Sequence, residues 1–374
     1  MENNLDVLAI LADLVAIPSV NLAYDGGVPE TAVAHYVERF FAHHHIETFR
    51  QEVQPGRYNV IARLPGHNPN RRVILEAHMD TVSVSGMNIP PFEPKVEDGR
   101  LYGRGSCDTK AGLAAMMHAM ATIKAAGQTP PCEIWLAAVV DEEYSFTGVL
   151  RLCEGLEAAA AIVAEPTEMR LVSASKGVLR WRMRTRGKAA HSAKPHLGVN
   201  AISHMATVIQ ALDQQAKTLA RSTHPLLGPA TLNIGLIRGG EQVNFVPDLC
   251  EITLDRRLIP GEDPLQIWNG YAHLAAQLGA EIEAPFIADS PLETATTADV
   301  VHTAQRVLVD LGRPIAAVGV PFGSDASKLG RIGIPSIIFG PGSIDRAHAA
   351  IEYVETDQVL EAAKFFHHFI LEFK

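Results

Sequence analysis

Four short apolar runs are spread through this chain, and each runs straight into residues able to hold a cation or move a proton. Residues 72–75 lead through Glu76 and Ala77 to His78 and Asp80, and residues 134–140 lead to Asp141-Glu142-Glu143. Residues 160–164 lead to Glu165-Pro166-Thr167, and residues 335–339 lead through Gly340-Pro341-Gly342 towards His348. The runs are continuous, and helical patterns lie between them. Strands buried on both faces read this way, so the pattern predicts an α/β fold with a mostly parallel sheet flanked by helices. Ligands in such sheets bind beyond the carboxyl ends of the strands, which is where these polar residues fall.

A length of 374 residues gives a prior of roughly two domains. The net charge of −10 argues against nucleic acid or an anionic membrane as a partner. No apolar run approaches the ~18 residues of a membrane span. Residues 1–20 lack a basic start, are interrupted by Asp13 and stop at Pro18, so they read as an amphipathic helix and not a signal peptide. Cys107, Cys132, Cys153 and Cys250 show no CxxC pairing, which argues against a disulfide framework or a cysteine zinc site. The expected compartment is the cytoplasm.

A second helix is expected from Pro29, with Val33, Tyr36, Val37, Phe40 and Phe41 on its apolar face and surface histidines 43–45 at its end. Strands are expected over 46–53 and 58–64, a long loop over 85–107, and a helix over 110–126 whose Met116, Met117 and Met120 read as core. From 178 to 285 the pattern changes to strand 178–186, helix 199–219, strands 230–237 and 250–258, helix 264–278 and strand 280–285. That order, βαββαβ, is the ferredoxin-like plan. It predicts an inserted domain over 177–288 within a discontinuous domain made of 1–176 and 289–374. The latter resumes with a helix over 298–311, a strand over 314–318, a turn at Gly323-Ser324-Asp325 and a last helix from 357.

Residues two apart on a strand share a face, so His78 and Asp80 point the same way, as suits a metal-bound imidazole whose second nitrogen is held by a carboxylate. His78, Asp108, Glu143, Glu165 and His348 together make a donor set for two borderline metals with one bridging carboxylate. Two zinc ions about 3.5–4 Å apart can share a water and lower its pKa. In the Glu142-Glu143 doublet one residue can ligate while the other faces substrate as a general base. Taken singly, His78 reads better as a satisfied strand-end histidine, and the Asp-Glu-Glu run as a solvated acidic turn; only the set favours a metal site.

HMDTV at 78–82, GRGSCDTKAGLAAM at 103–116, DEE at 141–143, EPT at 165–167, GKAAHSAKPHLGVNAI at 187–202, NFVPD at 244–248 and AHAAIEYV at 347–354 occur in this order. With them the chain resembles, over its full length, the zinc-dependent family of acetylornithine deacetylase, succinyl-diaminopimelate desuccinylase, aminoacylase and glutamate carboxypeptidase. The resemblance implies His78 and Glu165 as ligands of one metal, Glu143 and His348 as ligands of the other, and Asp108 as the bridge. It implies that Asp80 orients His78 and that Glu142 is the general base. The inserted domain then corresponds to a lid and dimerisation domain of a homodimer, with His191 reaching the partner subunit's site to stabilise the oxyanion. Asn244 and Arg257 correspond to substrate-contacting positions, an arginine being suited to a bidentate hold on a carboxylate. A plain salt bridge is the rival reading of Arg257, and Arg256 alternates to the other face.

The implied cofactors are two Zn2+, with Co2+ or Mn2+ also fitting. The implied substrate is an N-acyl amino acid, acetylornithine-like first, with desuccinylase or dipeptidase and carboxypeptidase activity as alternatives. A non-catalytic small-molecule binder is the reading from another class; it has no use for a general base. Two departures bear on the pocket: Tyr144-Ser145-Phe146 stands where a glycine-containing stretch is usual, and Ile351 stands before Glu352 where Asn is common. Cys107 beside Asp108 reads as packing.

Overall fold

The computed structural model describes residues 5–374. The chain divides into two compact units, one of Met1–Ser173, Thr294–Val318 and Ser324–Lys374, the other of Ala174–Glu293 and Gly319–Gly323. The return of Gly319–Gly323 to the second unit has no signal in the sequence. No helix among the described residues is long and apolar enough to cross a membrane.

The first unit is built on strands β1 (Glu47–Gln54), β2 (Arg57–Leu64), β3 (Asn68–His78), β4 (Cys132–Val139), β5 (Ala160–Val163) and β6 (Ser336–Ile338), in the spatial order β1-β2-β4-β3-β5-β6. β4, β3, β5 and β6 are mutually parallel, and the antiparallel hairpin β1–β2 extends the sheet beside β4. These four parallel strands are the apolar runs of the sequence. Their register decides what meets at their ends. His78 lies opposite Val139 and Glu76 opposite Val163, so Glu165, two residues past Val163, comes level with His78.

Around the sheet are helices α1 (Val7–Val15), α2 (Thr31–His43), α3 (Lys110–Ala125), α4 (Thr147–Leu152), α5 (Asp299–Asp310), α6 (Ala326–Arg331) and α7 (Thr356–Glu372). The methionines of α3 share one core with Phe365, Phe366 and Phe369 of α7. A Cβ on Gly112 would lie 2.4 Å from the Ala164 methyl, so glycine lets α3 lie close against the end of β5. Buried Lys110 donates from Nζ to the carbonyls of Leu14 (3.0 Å) and Ile17 (2.8 Å), adding a donor at the C-terminus of α1.

The 85–107 segment is not simply a loop. Lys95–Glu97 and Arg100–Tyr102 form a hairpin, and Arg100–Tyr102 also pairs with Tyr353–Glu355. That small sheet brings Glu352 against Arg104. One Glu352 oxygen accepts from Arg104 at 2.5 Å, and the other accepts the backbone N–H groups of Cys107 (3.0 Å) and Asp108 (3.1 Å). The expected strand over 314–318 forms instead at Val318–Val320, and the expected turn at 323–325 runs into α6. The short helix α4 has no clear sequence signal.

The second unit has strands Gly177–Arg186, Thr231–Gly239 and Leu249–Leu258, and a last strand broken into Glu281–Ile282 and Ile287–Asp289. The break falls at Pro285, which has no N–H to give to a ladder. All pairings are antiparallel, with Leu249–Leu258 between Thr231–Gly239 and Gly177–Arg186, and the last strand beyond Gly177–Arg186. This is the ferredoxin-like arrangement. Helices Ala201–Leu219 and Pro264–Gln277, capped by the side chains of Asn200 and Asp263, bury Met205, Val208, Leu212 and Tyr271 against Trp181, Met183, Ile252 and Leu254.

Arg104 and Glu352 are both within 2% of full burial, and breaking such a pair leaves an uncompensated charge. Arg104→Met should lower the unfolding free energy by about 3–5 kcal/mol, read as the shift of the urea midpoint against wild type. An unshifted midpoint would show that the pair contributes nothing net.

Candidate metal centre

The carboxyl ends of β3, β4 and β5 and the segment around His348 converge within the first unit. The Asp108 carboxylate sits between two imidazoles, 3.1 Å from His78 Nε2 through Oδ1 and 3.2 Å from His348 Nε2 through Oδ2. His348 Nε2 also lies 3.2 Å from Glu143 Oε2. Ligand atoms of His78, Asp108 and Glu143 lie within 4.8 Å of one another, and so do those of His78, Glu142 and Glu165. The five expected ligands and Glu142 therefore occupy one site, with His78 common to both groups and Asp108 placed between the two histidines.

Asp80 is completely buried beside them and does more than face His78. Its Oδ1 accepts the N–H of Glu142 at 3.1 Å, and its Oδ2 accepts the N–H of Glu143 at 3.1 Å and Asn21 Nδ2 at 2.8 Å. His78 Nδ1 is 3.6 Å from the Asp80 carboxylate and 3.0 Å from the Asp80 backbone carbonyl. The carbonyl is thus the closer partner of the imidazole, while the carboxylate holds the chain that carries Glu142 and Glu143. Asp141 (φ 68°) and His348 (φ 60°) both adopt left-handed backbone, a strain that non-glycine residues usually keep only at functional positions.

The charge balance is the test of whether cations fit. Burial, together with the neighbouring carboxylates, pushes Glu142 up to about 8 and Glu143 up to about 7, and lifts Glu165 well above the carboxylate range. Hydrogen bonds to Asp108 and then Glu143 raise His348 to about 10. A buried set of carboxylates that cannot all ionise is short of positive charge, and hard or borderline divalent cations supply it. The residues fit such ions. Cys107, fully buried, has its thiol pushed up by burial and its Sγ directed to the Ser343 carbonyl at 3.3 Å, so it packs and does not act as a nucleophile.

In the second unit, His191 pairs in a two-residue ribbon with Phe245, and Ser192 N–H donates to the Asn244 carbonyl at 3.0 Å, so His191 and Asn244 are neighbours. Both are exposed, and the His191 Nδ1 accepts the Ala193 N–H at 3.1 Å. Arg257 donates from Nε to Asp255 at 2.8 Å, and Arg256 is fully buried. Of the departures, Ile351 is exposed, and Phe146 (φ 61°) lays its ring 3.4 Å from the Lys328 ammonium.

Sequence reasoning missed Asn21, Arg104 and the buried carboxyls Glu76 and Asp325. Burial pushes Glu76 up to about 8. Asp325 lay in a segment read as a turn, and Asn21 is 59 residues from Asp80 with no periodicity linking them. The pair Arg104–Glu352 had a detectable cue, since both residues lie inside motifs that carry the resemblance.

Ligands must lose their protons to bind a cation. With Glu143 near 7 and His348 near 10 in the metal-free chain, loading at pH 7 should release protons and tighten as pH rises from 6 to 8. Calorimetric titrations in buffers of different ionisation enthalpy measure this, and pH-independent loading without proton release would contradict it.

The model of peptidase family M20/M25/M40 matches residues 74–372. An acetylornithine deacetylase of Myxococcus xanthus is 30% identical over 378 residues, covering 96% of each chain. A probable succinyl-diaminopimelate desuccinylase of Staphylococcus epidermidis is 26% identical over 391 residues, covering 95% of this chain and 94% of that one. A solved tripeptidase of Staphylococcus aureus superposes with a TM-score of 0.81 at 24% identity, covering 97% of this chain and 96% of that one. With the site built as above, the chain belongs to peptidase family M20/M25/M40 and is a metal-dependent hydrolase.

Proposed function

We propose that the chain is a dinuclear-metal amidohydrolase that cleaves the acyl group from an N-acyl amino acid, acetylornithine-like in the first instance. The observation that carries this reading is the Asp108 carboxylate standing between His78 Nε2 (3.1 Å) and His348 Nε2 (3.2 Å), with Glu143, Glu165 and the buried Glu142 gathered beside these groups. His78 and Glu165 would hold one cation, Glu143 and His348 the other, and Asp108 both. Bound, the cations supply Lewis acidity and acidify a water. Zn2+ suits the nitrogen and oxygen donors, as do Co2+ and Mn2+.

In this reading Glu142 takes the proton of the attacking water and passes it to the leaving amine. Burial raises this carboxyl in the metal-free chain, and bound cations would offset that rise, which suits a group that both takes and returns a proton. Asp80 holds the Glu142 and Glu143 backbone in place through its two accepted N–H groups. The inserted unit acts as the lid and dimerisation domain, and His191 of one subunit donates to the oxyanion formed in the other subunit's site. Asn244 hydrogen-bonds the substrate, and Arg257 takes its free carboxylate. The four unbridged cysteines support a reducing, cytoplasmic setting.

Glu142→Gln should retain bound metal and lose about 10²–10⁴-fold in kcat, measured with a panel of N-acetyl and N-succinyl amino acids and small peptides. An active Glu142→Gln protein would overturn the base assignment, and metal-free inert wild type would favour a binding protein. The panel also separates deacetylase from desuccinylase and peptidase. His191→Ala should likewise be inactive, and mixing it with Glu142→Gln under confirmed subunit exchange should restore part of the activity. Absence of recovery would place His191 outside the partner's site.

A further inference from the structure

A loop near the start of the chain reaches into the centre of this site. Val20 bridges Thr81 in parallel register, with Asn21 N–H donating to the Thr81 carbonyl and Thr81 N–H to the Ser19 carbonyl, both at 2.9 Å. Asn21 is 1% exposed. Its Nδ2 donates at 2.8 Å to Asp80 Oδ2 and at 2.8 Å to Asp141 Oδ1, while its Oδ1 accepts the Ala23 N–H at 2.9 Å. Both N–H donors and the carbonyl oxygen of the amide are thus engaged, and only an amide offers two N–H donors and an acceptor at this reach. On its far side Asp141 accepts Ser145 and Thr147, and it faces Arg57, which is paired with buried Glu30. Tyr24 adds a hydrogen bond from its hydroxyl to the Glu143 carbonyl at 3.2 Å.

The geometry points to Asn21 as a positioning residue for the metal centre, its amide tying Asp80 to Asp141 and so fixing where Glu142 and Glu143 stand. This rests on the hydrolase reading above and adds a residue to it. Two carboxylates that close together repel, and an amide donating one N–H to each removes the conflict at its source. Without it, Asp80 keeps only the two backbone N–H groups and the turn that carries both glutamates gains freedom at its base. The loop itself is closed tightly, with Val28 N–H on the Val20 carbonyl at 2.9 Å and Gly27 N–H on the Tyr24 carbonyl at 3.0 Å. A Cβ on Gly27 would lie 2.4 Å from the Asn21 carbonyl oxygen and 2.9 Å from that of Tyr24. Glycine there is what allows Asn21 to reach the site.

The test compares Asn21→Leu, which keeps the branched shape and removes both donors, with Gly27→Ala, which displaces the loop and leaves the amide intact. Affinity for Zn2+ and the visible spectrum of the Co2+-loaded protein are measured together with kcat and KM. Both variants should bind metal about 10–100-fold more weakly, as losses of outer partners do, with altered Co2+ bands and a fall in kcat at a KM within about threefold. A merely structural role would lower the melting temperature and leave the Co2+ bands and metal affinity unchanged, and that result overturns the inference. Should Asn21→Leu not fold, wild-type metal binding by Gly27→Ala overturns it alone. Failure of the functional reading is separate: it would appear as wild type binding no metal or hydrolysing nothing.

Discussion

The Asp80 carboxylate accepts from both backbone N–H groups of Glu142-Glu143, and the rest of the centre depends on that arrangement. The acidic turn follows β4, whereas Asp80 follows β3, so these hydrogen bonds join two strand ends side to side. They also fix the spacing between His78 and the two glutamates. A carboxylate accepting several N–H groups is stabilised in its charged form, and the nearby His78 imidazole and the hydrogen bond from Asn21 help to hold Asp80 below its usual range against the penalty of burial. The fixed negative charge in turn favours cationic or metal-bound neighbours.

Around this link the parallel sheet sets the level of each donor. β3 lies between β4 and β5 in parallel register, so His78, the acidic turn and Glu165 emerge at one edge. Asp108 has no strand of its own to place it, and the small sheet holding Glu352 does that work through the Cys107 and Asp108 N–H groups. Two buried carboxylates, Asp80 and Glu352, thus act alike: each accepts backbone N–H groups of segments that carry candidate metal ligands. The site holds more carboxylates than can ionise together, which is why cations, and not further protein contacts, are its natural completion.

Much of this was legible in the sequence because it rests on period and on strand ends. The apolar runs became the parallel strands, and the βαββαβ order became the antiparallel sheet of the second unit. His78, Asp108, Glu142, Glu143, Glu165 and His348 were found as residues beyond such ends or within motifs, and the fold gathers them. What escaped depends on contacts distant in sequence. Asn21 meets Asp80 and Asp141 through a loop whose composition says only that it turns, and the 95–102 hairpin is defined by its pairing with 353–355. Pattern also implied that the Asp80 carboxylate faces His78, but could not tell that its carbonyl lies closer and that its oxygens serve the neighbouring strand.

The most direct test of this account is calorimetric titration of Zn2+ into Asp80→Asn. The substitution preserves shape but leaves a single oxygen where two accept backbone N–H groups. The account predicts a folded protein whose affinity for Zn2+ falls by about 10–100-fold. Wild-type affinity in Asp80→Asn would contradict it, because the centre would then stand without the link on which its geometry is said to depend.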